Sequence, residues 1–222
     1  MKPISDKMVA VLNEMRHRLL NGMDVANGLE CYVNTSGWKK YLKDPNLWIA
    51  KNTAWLELID PQPGDSLYDI GAGCGFFMYL ARELRGCRIT GCDVDITVQK
   101  VFAIMKLALG VYDEVDEGCV TPWKPLPCQG RYDWITSLAI AFSGGWQVEE
   151  HRWFLRAVGE QLADGGSALL IFSAPAIQKP GVAALCKSVN ARLDDKGKPW
   201  IIRATKEALM NVPVEPKPEG RK

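Results

Sequence analysis

Histidine is nearly absent from this chain, which has only His17 and His151, and its seven cysteines include no Cys-x-x-Cys pair. A zinc centre draws on Cys and His at short matched spacings, so no metal is expected. An odd number of scattered cysteines gives no disulfide framework either; they read as reduced, mostly buried thiols of a cytoplasmic protein. No apolar run approaches the ~20 residues that cross a bilayer, so no membrane span is expected. Met1-Lys2-Pro3-Ile4-Ser5-Asp6 is not expected to act as a signal peptide. An excess of one charge is missing too, with 27 Lys and Arg against 26 Asp and Glu and a formal net charge of +1. Phosphate backbones are bound by clustered cations, so no nucleic-acid partner is expected. Oligomeric state leaves no mark in the sequence.

What is present suits one sizeable core: 222 residues, 47% hydrophobic and 24% charged. Met8, Leu12, Met15 and Leu19 recur at helical spacing, with Gly22 placed to end that helix. A second helix is expected over Pro45–Ile59, and the breaker cluster Pro61-Gln62-Pro63-Gly64-Asp65 follows it. Residues 1–60 are therefore read as an N-terminal helical cap, residues 61–211 as the core, and 212–222 as a mobile tail rich in Pro, Glu and Lys.

From Ser66 onward, strand and helix patterns alternate. Strands are expected at Leu67–Ile70, Cys87–Asp93, Val115–Val120, Tyr132–Ser137 and Ser167–Phe172. Helices are expected after the glycine loop (Phe76, Phe77, Leu80, Leu84), over Ile96–Leu109 (Val98, Val101, Phe102, Met105, Leu109), and through Phe154, Leu155, Val158 and Leu162. Asp164-Gly165-Gly166 would close the last of these. Such alternation predicts an α/β fold: a Rossmann-like, doubly wound, mostly parallel sheet with helices on both faces. Ligands bind such sheets at the carboxyl ends of the strands, where the strand order reverses.

The strongest local signal is Asp69-Ile70-Gly71-Ala72-Gly73-Cys74-Gly75, between a strand and a helix. Glycines there let the backbone turn sharply and let a ligand approach it. The free N–H groups of the next helix favour an anionic group in the same place. The spacing is Gly-x-Gly-x-Gly, which differs from the dinucleotide Gly-x-Gly-x-x-Gly, and no Gly-Lys-Ser/Thr ending of a phosphate loop occurs. Ile89-Thr90-Gly91-Cys92-Asp93 ends the next strand with an acid, whose carboxylate matches the paired hydroxyls of a ribose.

This pattern resembles the signature of class I S-adenosylmethionine-dependent methyltransferases. Arg131-Tyr132-Asp133-Trp134-Ile135-Thr136-Ser137 resembles the fourth-strand motif of that family, and Leu162-Ala163-Asp164-Gly165-Gly166 resembles the approach to its fifth strand, with Asp164 where the family has proline. The resemblance covers roughly residues 66–175. It implies that Asp69, Gly71, Ala72, Gly73, Cys74 and Gly75 hold the methionine part of S-adenosylmethionine, with S-adenosylhomocysteine as product. It further implies that Asp93 holds the ribose, Val94 packs on the adenine, Cys119 and Val120 line the adenine edge, and Ser137 and Leu138 face the sulfonium. The family's acid on the adenine edge is missing from Gly118-Cys119-Val120-Thr121; the nearest acids are Asp116 and Glu117.

The acceptor end leaves alternatives open. Methyl transfer from a sulfonium is an in-line displacement in which positioning supplies much of the rate; a base is needed only for a hydroxyl or a protonated amine. His151 is the candidate base, set against a reading as an exposed histidine on the first turn of a helix. Phe142-Ser143-Gly144-Gly145-Trp146 reads either as a mobile substrate loop, with Phe142, Ser143 and Trp146 toward the acceptor, or as a connector with the tryptophan packed inward. The Trp146 segment and His151-Arg152-Trp153-Phe154-Leu155 also resemble small bacterial methyltransferases acting on saccharides or other metabolites. The expected activity is thus methylation of a small-molecule acceptor, such as a sugar or a cell-surface or secondary-metabolite precursor. The alternative is a catalytically inactive binding or scaffold protein that keeps the fold.

Overall fold

A computed structural model describes residues 45–94, 100–140, 142–172, 181–189 and 200–215, with the isolated positions Asn13, Glu14 and His17. The expected N-terminal helix and most of the cap therefore lie outside the described residues, as does the tail from residue 216 onward. The elements in chain order are α1 (Pro45–Ile59), β1 (Ser66–Ile70), α2 (Phe76–Arg85), β2 (Arg88–Asp93), α3 (Lys100–Leu109), β3 (Val115–Glu117) and β4 (Tyr132–Ile140). A 3-10 turn (Phe142–Gly145) follows, then α4 (Val148–Gln161), β5 (Leu162–Phe172), α5 (Val182–Ser188), β6 (Trp200–Thr205) and α6 (Lys206–Met210). The sheet has six strands in the order β3-β2-β1-β4-β5-β6, a Rossmann-like arrangement in which the β2–β3, β1–β4 and β4–β5 pairs are parallel and the β5–β6 pair is antiparallel.

The chain divides into two compact units, one comprising residues up to Asp65 with Ala72–Glu117, the other Ser66–Gly71 with residues from Gly118 onward. In the first unit α1 packs on α2, and β2 pairs in parallel with β3. α2 starts where it does because Gly75 takes a left-handed conformation (φ 76°), and it ends at Gly86, also left-handed. There the Gly86 and Cys87 amides donate to the Arg82 and Ala81 carbonyls, satisfying acceptors the helix end leaves open. Arg82 and Arg85 in its last turn complement the negative end of the helix dipole.

In the second unit β4 lies between β1 and β5, in parallel with both. Residues 168–172 of β5 are all buried, the continuous apolar run expected of an inner strand covered on both faces. The root of the β1–β4 pair is tied by Asp133, whose carboxylate accepts from the Ser66 amide (2.8 Å) and hydroxyl (2.7 Å). α4 opens with the Gln147 amide donating to Glu150 (2.6 Å), and packs on β5 and α6.

Several sequence expectations are corrected here. Leu162 belongs to β5, not to the preceding helix, and Asp164-Gly165-Gly166 lies within that strand rather than closing a helix. The register explains the segment: Tyr132 pairs with Leu162 but Trp134 pairs with Ser167, so β5 carries extra residues against β4 in a bulge. β3 stops at Glu117, short of Val120, while β4 runs on to Ile140. The helix expected from Ile96 is described from Lys100, residues 95–99 lying outside the described set. α5, β6 and α6 had no sequence signal strong enough to announce them.

Gly166 shows what the bulge requires. A Cβ there would stand 2.9 Å from the Ala163 and Tyr132 carbonyl oxygens and 3.1 Å from that of Asp133, backbone atoms that cannot yield cheaply. Gly166→Ala is therefore expected to destabilise the fold by about 1–3 kcal/mol, the usual cost of overpacking. Gly145→Ala, which meets nothing within 4 Å, should stay within about 0.5 kcal/mol of the parent. Thermal denaturation of the two variants checks this, and equal melting temperatures would refute it.

Candidate functional site

In the second unit the carboxyl ends of β1 and β4 lie side by side, with Asp69 in register with Thr136. Asp69 is buried, and its Oδ1 accepts from the Thr136 hydroxyl at 2.6 Å. Ser137, also buried, donates its hydroxyl to the Ile70 carbonyl at 2.9 Å. Both polar side chains thus bind the ends of the two strands together. Gly71 follows with φ 77° and open space where a Cβ would point. Leu138 is half-buried; Cys119 is exposed and Val120 buried.

In the first unit the remainder of the glycine loop is fastened to the end of β2. The Ala72 amide donates to the Cys92 carbonyl at 3.1 Å, and the Gly73 amide donates to Asp93 Oδ2 at 2.7 Å. The other oxygen, Oδ1, accepts from the Val94 amide at 2.8 Å. Asp93 itself is 8% exposed, whereas Val94 beside it is 42% exposed. Gly75 cannot carry a side chain: a Cβ would stand 2.5 Å from Val111 Cγ2 and 3.2 Å from Lys106 Cγ. Ala72 and Cys74 are buried.

Lys106 went unremarked in the sequence. It is wholly buried, with Nζ 3.8 Å from Asp93 Oδ2, a separation that makes an ion pair but not a hydrogen bond. Desolvation pushes its pKa below the usual 10.5, against the opposing pull of Asp93 and of Cys74. The signal was there to find: Lys106 sits four residues after Phe102 and three before Leu109, on the face read as apolar.

His151 does occupy the first turn of its helix, α4, but it is 0% exposed rather than on the surface. Its Nδ1 lies 2.8 Å from the Gln147 carbonyl, and its ring packs against Trp146 (centroids 5.7 Å) and Phe172 (5.5 Å). Trp146 is itself buried, edge-on to Trp153 and Phe154. These side chains form an aromatic core: the reading of His151 as an exposed histidine is corrected, and Trp146 is packed inward, as in the connector reading. Ser143 is buried within the 3-10 turn, and the side chain of Phe142 lies outside the described residues.

The six described cysteines are free thiols, and all but Cys119 are buried. Burial raises the Cys87 thiol to about 11 and that of Cys186 to about 12, which keeps both protonated and inert near neutrality. No helix among the described residues is long and apolar enough to cross a membrane.

No protein-family model matches the sequence, and no curated protein matches it. Solved structures do. TrmN from Thermus thermophilus is similar at a TM-score of 0.51 and 21% identity, over 68% of this chain and 47% of that one. A SAM-dependent methyltransferase from Geobacter sulfurreducens, in complex with S-adenosyl-L-homocysteine, is similar at 0.42 and 21% identity, over 55% and 47%. DesVI from Streptomyces venezuelae is similar at 0.46 and 15%, over 59% and 52%. The chain spans about half the length of these proteins. The likeness to TrmN shows a shared α/β fold.

The Asp69–Thr136 bond offers a direct check. Thr136→Val keeps the shape but removes a donor to a buried carboxyl group, and is expected to cost about 1.5–3 kcal/mol, as hydrogen bonds to charged groups do. Chemical denaturation measures it; a variant as stable as the parent would mean that the bond contributes nothing net.

Proposed function

We propose that this chain is an S-adenosylmethionine-dependent methyltransferase acting on a small-molecule acceptor. The observation that carries the reading is the Asp93 carboxylate, anchored at the end of β2 by the Gly73 and Val94 amides. Each carboxylate oxygen has two lone-pair sites, and here one amide engages each oxygen. Capacity remains for both hydroxyls of a ribose, so the acid fits the cofactor. Val94, an exposed apolar side chain next to that acid, suits the face of an adenine.

The other roles follow the sequence resemblance. Asp69, Gly71, Ala72, Gly73, Cys74 and Gly75 are assigned to the methionine part, Cys119 and Val120 to the adenine edge, and Ser137 and Leu138 to the sulfonium end. Ser137 would act through its fixed backbone, since its hydroxyl is committed to Ile70. When bound, S-adenosylmethionine would supply an activated methyl group for in-line transfer, its sulfur leaving with the S–CH3 electron pair as the thioether S-adenosylhomocysteine. The chain's own contribution is then to hold and orient. No base is assigned, because His151 is enclosed in the core. Acceptor choice is assigned to residues 1–60, which lie ahead of the shared core. A sugar or a cell-surface or secondary-metabolite precursor is the acceptor class that the saccharide-directed resemblance supports.

Isothermal titration with S-adenosylmethionine and S-adenosylhomocysteine tests the reading. The parent protein is expected to bind both in the micromolar range. Asp93→Ala should weaken binding at least tenfold, the loss of two hydrogen bonds to a charged acceptor. No binding by a folded parent protein would leave the fold serving another role, as in the scaffold reading.

A further inference from the structure

Among the described residues, Lys106 is the one buried cation beside the proposed cofactor acid. It comes from the middle of α3, its side chain is 0% exposed, and its stem runs 3.2 Å from the point where Gly75 would carry a Cβ. Its ammonium has three donors, yet Nζ has no hydrogen-bond acceptor within reach among the described residues. The titratable groups facing it are Asp93, from the end of β2, and Cys74, from the glycine loop. Burying an ammonium is costly, and an apolar residue at this position would complete the face made by its neighbours along α3 at no such cost.

We propose that Lys106 is a positioning residue for the cofactor: its buried ammonium fixes the Asp93 carboxylate in the orientation that receives the ribose diol. The inference rests on the methyltransferase reading above. With Gly73 and Val94 donating to its two oxygens and Lys106 beside Oδ2, the carboxylate is held from three directions. It presents its remaining lone pairs without having to reorganise on binding, which is how preorganisation raises affinity. The effect acts at the ribose end and is independent of the methionine amine and carboxylate.

A pH dependence follows. Burial lowers the Lys106 pKa below 10.5, so the free protein loses this ammonium, as pH rises, earlier than an exposed lysine would. Binding that uses the ammonium is complete below the lowered pKa and weakens as pH climbs through it.

The test uses two probes: S-adenosylhomocysteine, and 5′-methylthioadenosine, which keeps the ribose diol but lacks the amino-acid end. Lys106→Met, a neutral side chain of similar length, is expected to weaken both by the same factor, about tenfold for a lost charge-assisted contact. The parent should lose 5′-methylthioadenosine affinity on the alkaline side, a limb that a purely structural lysine would not produce; Lys106→Met should show none. Circular dichroism confirms that the variant is folded. If it is not, the alkaline limb of the parent protein decides alone, because the nucleoside itself does not titrate there. Unchanged affinity in the variant, or a parent curve flat in alkali, overturns the proposal. So does a loss confined to S-adenosylhomocysteine, which would place Lys106 at the amino-acid end. A parent that binds neither probe overturns the methyltransferase reading itself, and this inference with it.

Discussion

A nearly buried carboxylate must be satisfied where it stands, and at the end of β2 that requirement organises everything around Asp93. Gly73 can donate to it only because the glycine loop folds back over the strand end, and Gly73 and Gly75 make that turn with φ of 54° and 76°. Gly75 in turn must lack a side chain, since Val111 and the Lys106 stem fill the space beyond it. The Lys106 ammonium then lies within ion-pair distance of the same carboxylate. Acid, loop and lysine are thus mutually dependent: each takes its position from the others, and the helix α2 begins where the loop releases the chain. Sites built this way hold their geometry before a ligand arrives, because reorganisation would break several contacts at once.

The β1–β4 pair uses the same device at both of its ends. Asp133 and Ser66 join the strands at one end, and Thr136 with Asp69 and Ser137 with Ile70 join them at the other. Two residues marked by the family resemblance, Asp69 and Ser137, are therefore first of all structural: their polar atoms spend a bond on the neighbouring strand. That is compatible with a binding role, which would then be exerted through the backbone they fix and the lone pairs that remain. His151 makes the contrary point. A histidine on the first turn of a helix invites a catalytic reading, yet here it bonds the carbonyl of the N-cap residue Gln147 and completes an aromatic core with Trp146 and Phe172. A residue type suggests a chemistry, and its surroundings decide whether that chemistry is available.

The sequence by itself determined the alternation of strands and helices, the α1 boundaries at Pro45 and Ile59, and the glycine loop with its acid one strand later, since these follow from local periodicity, breakers and left-handed glycines. It could not determine the strand character of Asp164-Gly165-Gly166, because a bulge is defined only against the neighbouring strand, and nothing local to those residues reports the register of β4. Nor could it find β6 and α6, which are short and gain their stability from packing on β5 and α4 rather than from their own propensity. Burial was decided by tertiary structure as well. Lys106 lies on an apolar face and His151 in a polar-looking turn, and only the packing of other elements encloses both. Periodicity records which side of a helix a residue occupies; whether that side meets solvent, a core or a carboxylate depends on what the rest of the chain places against it.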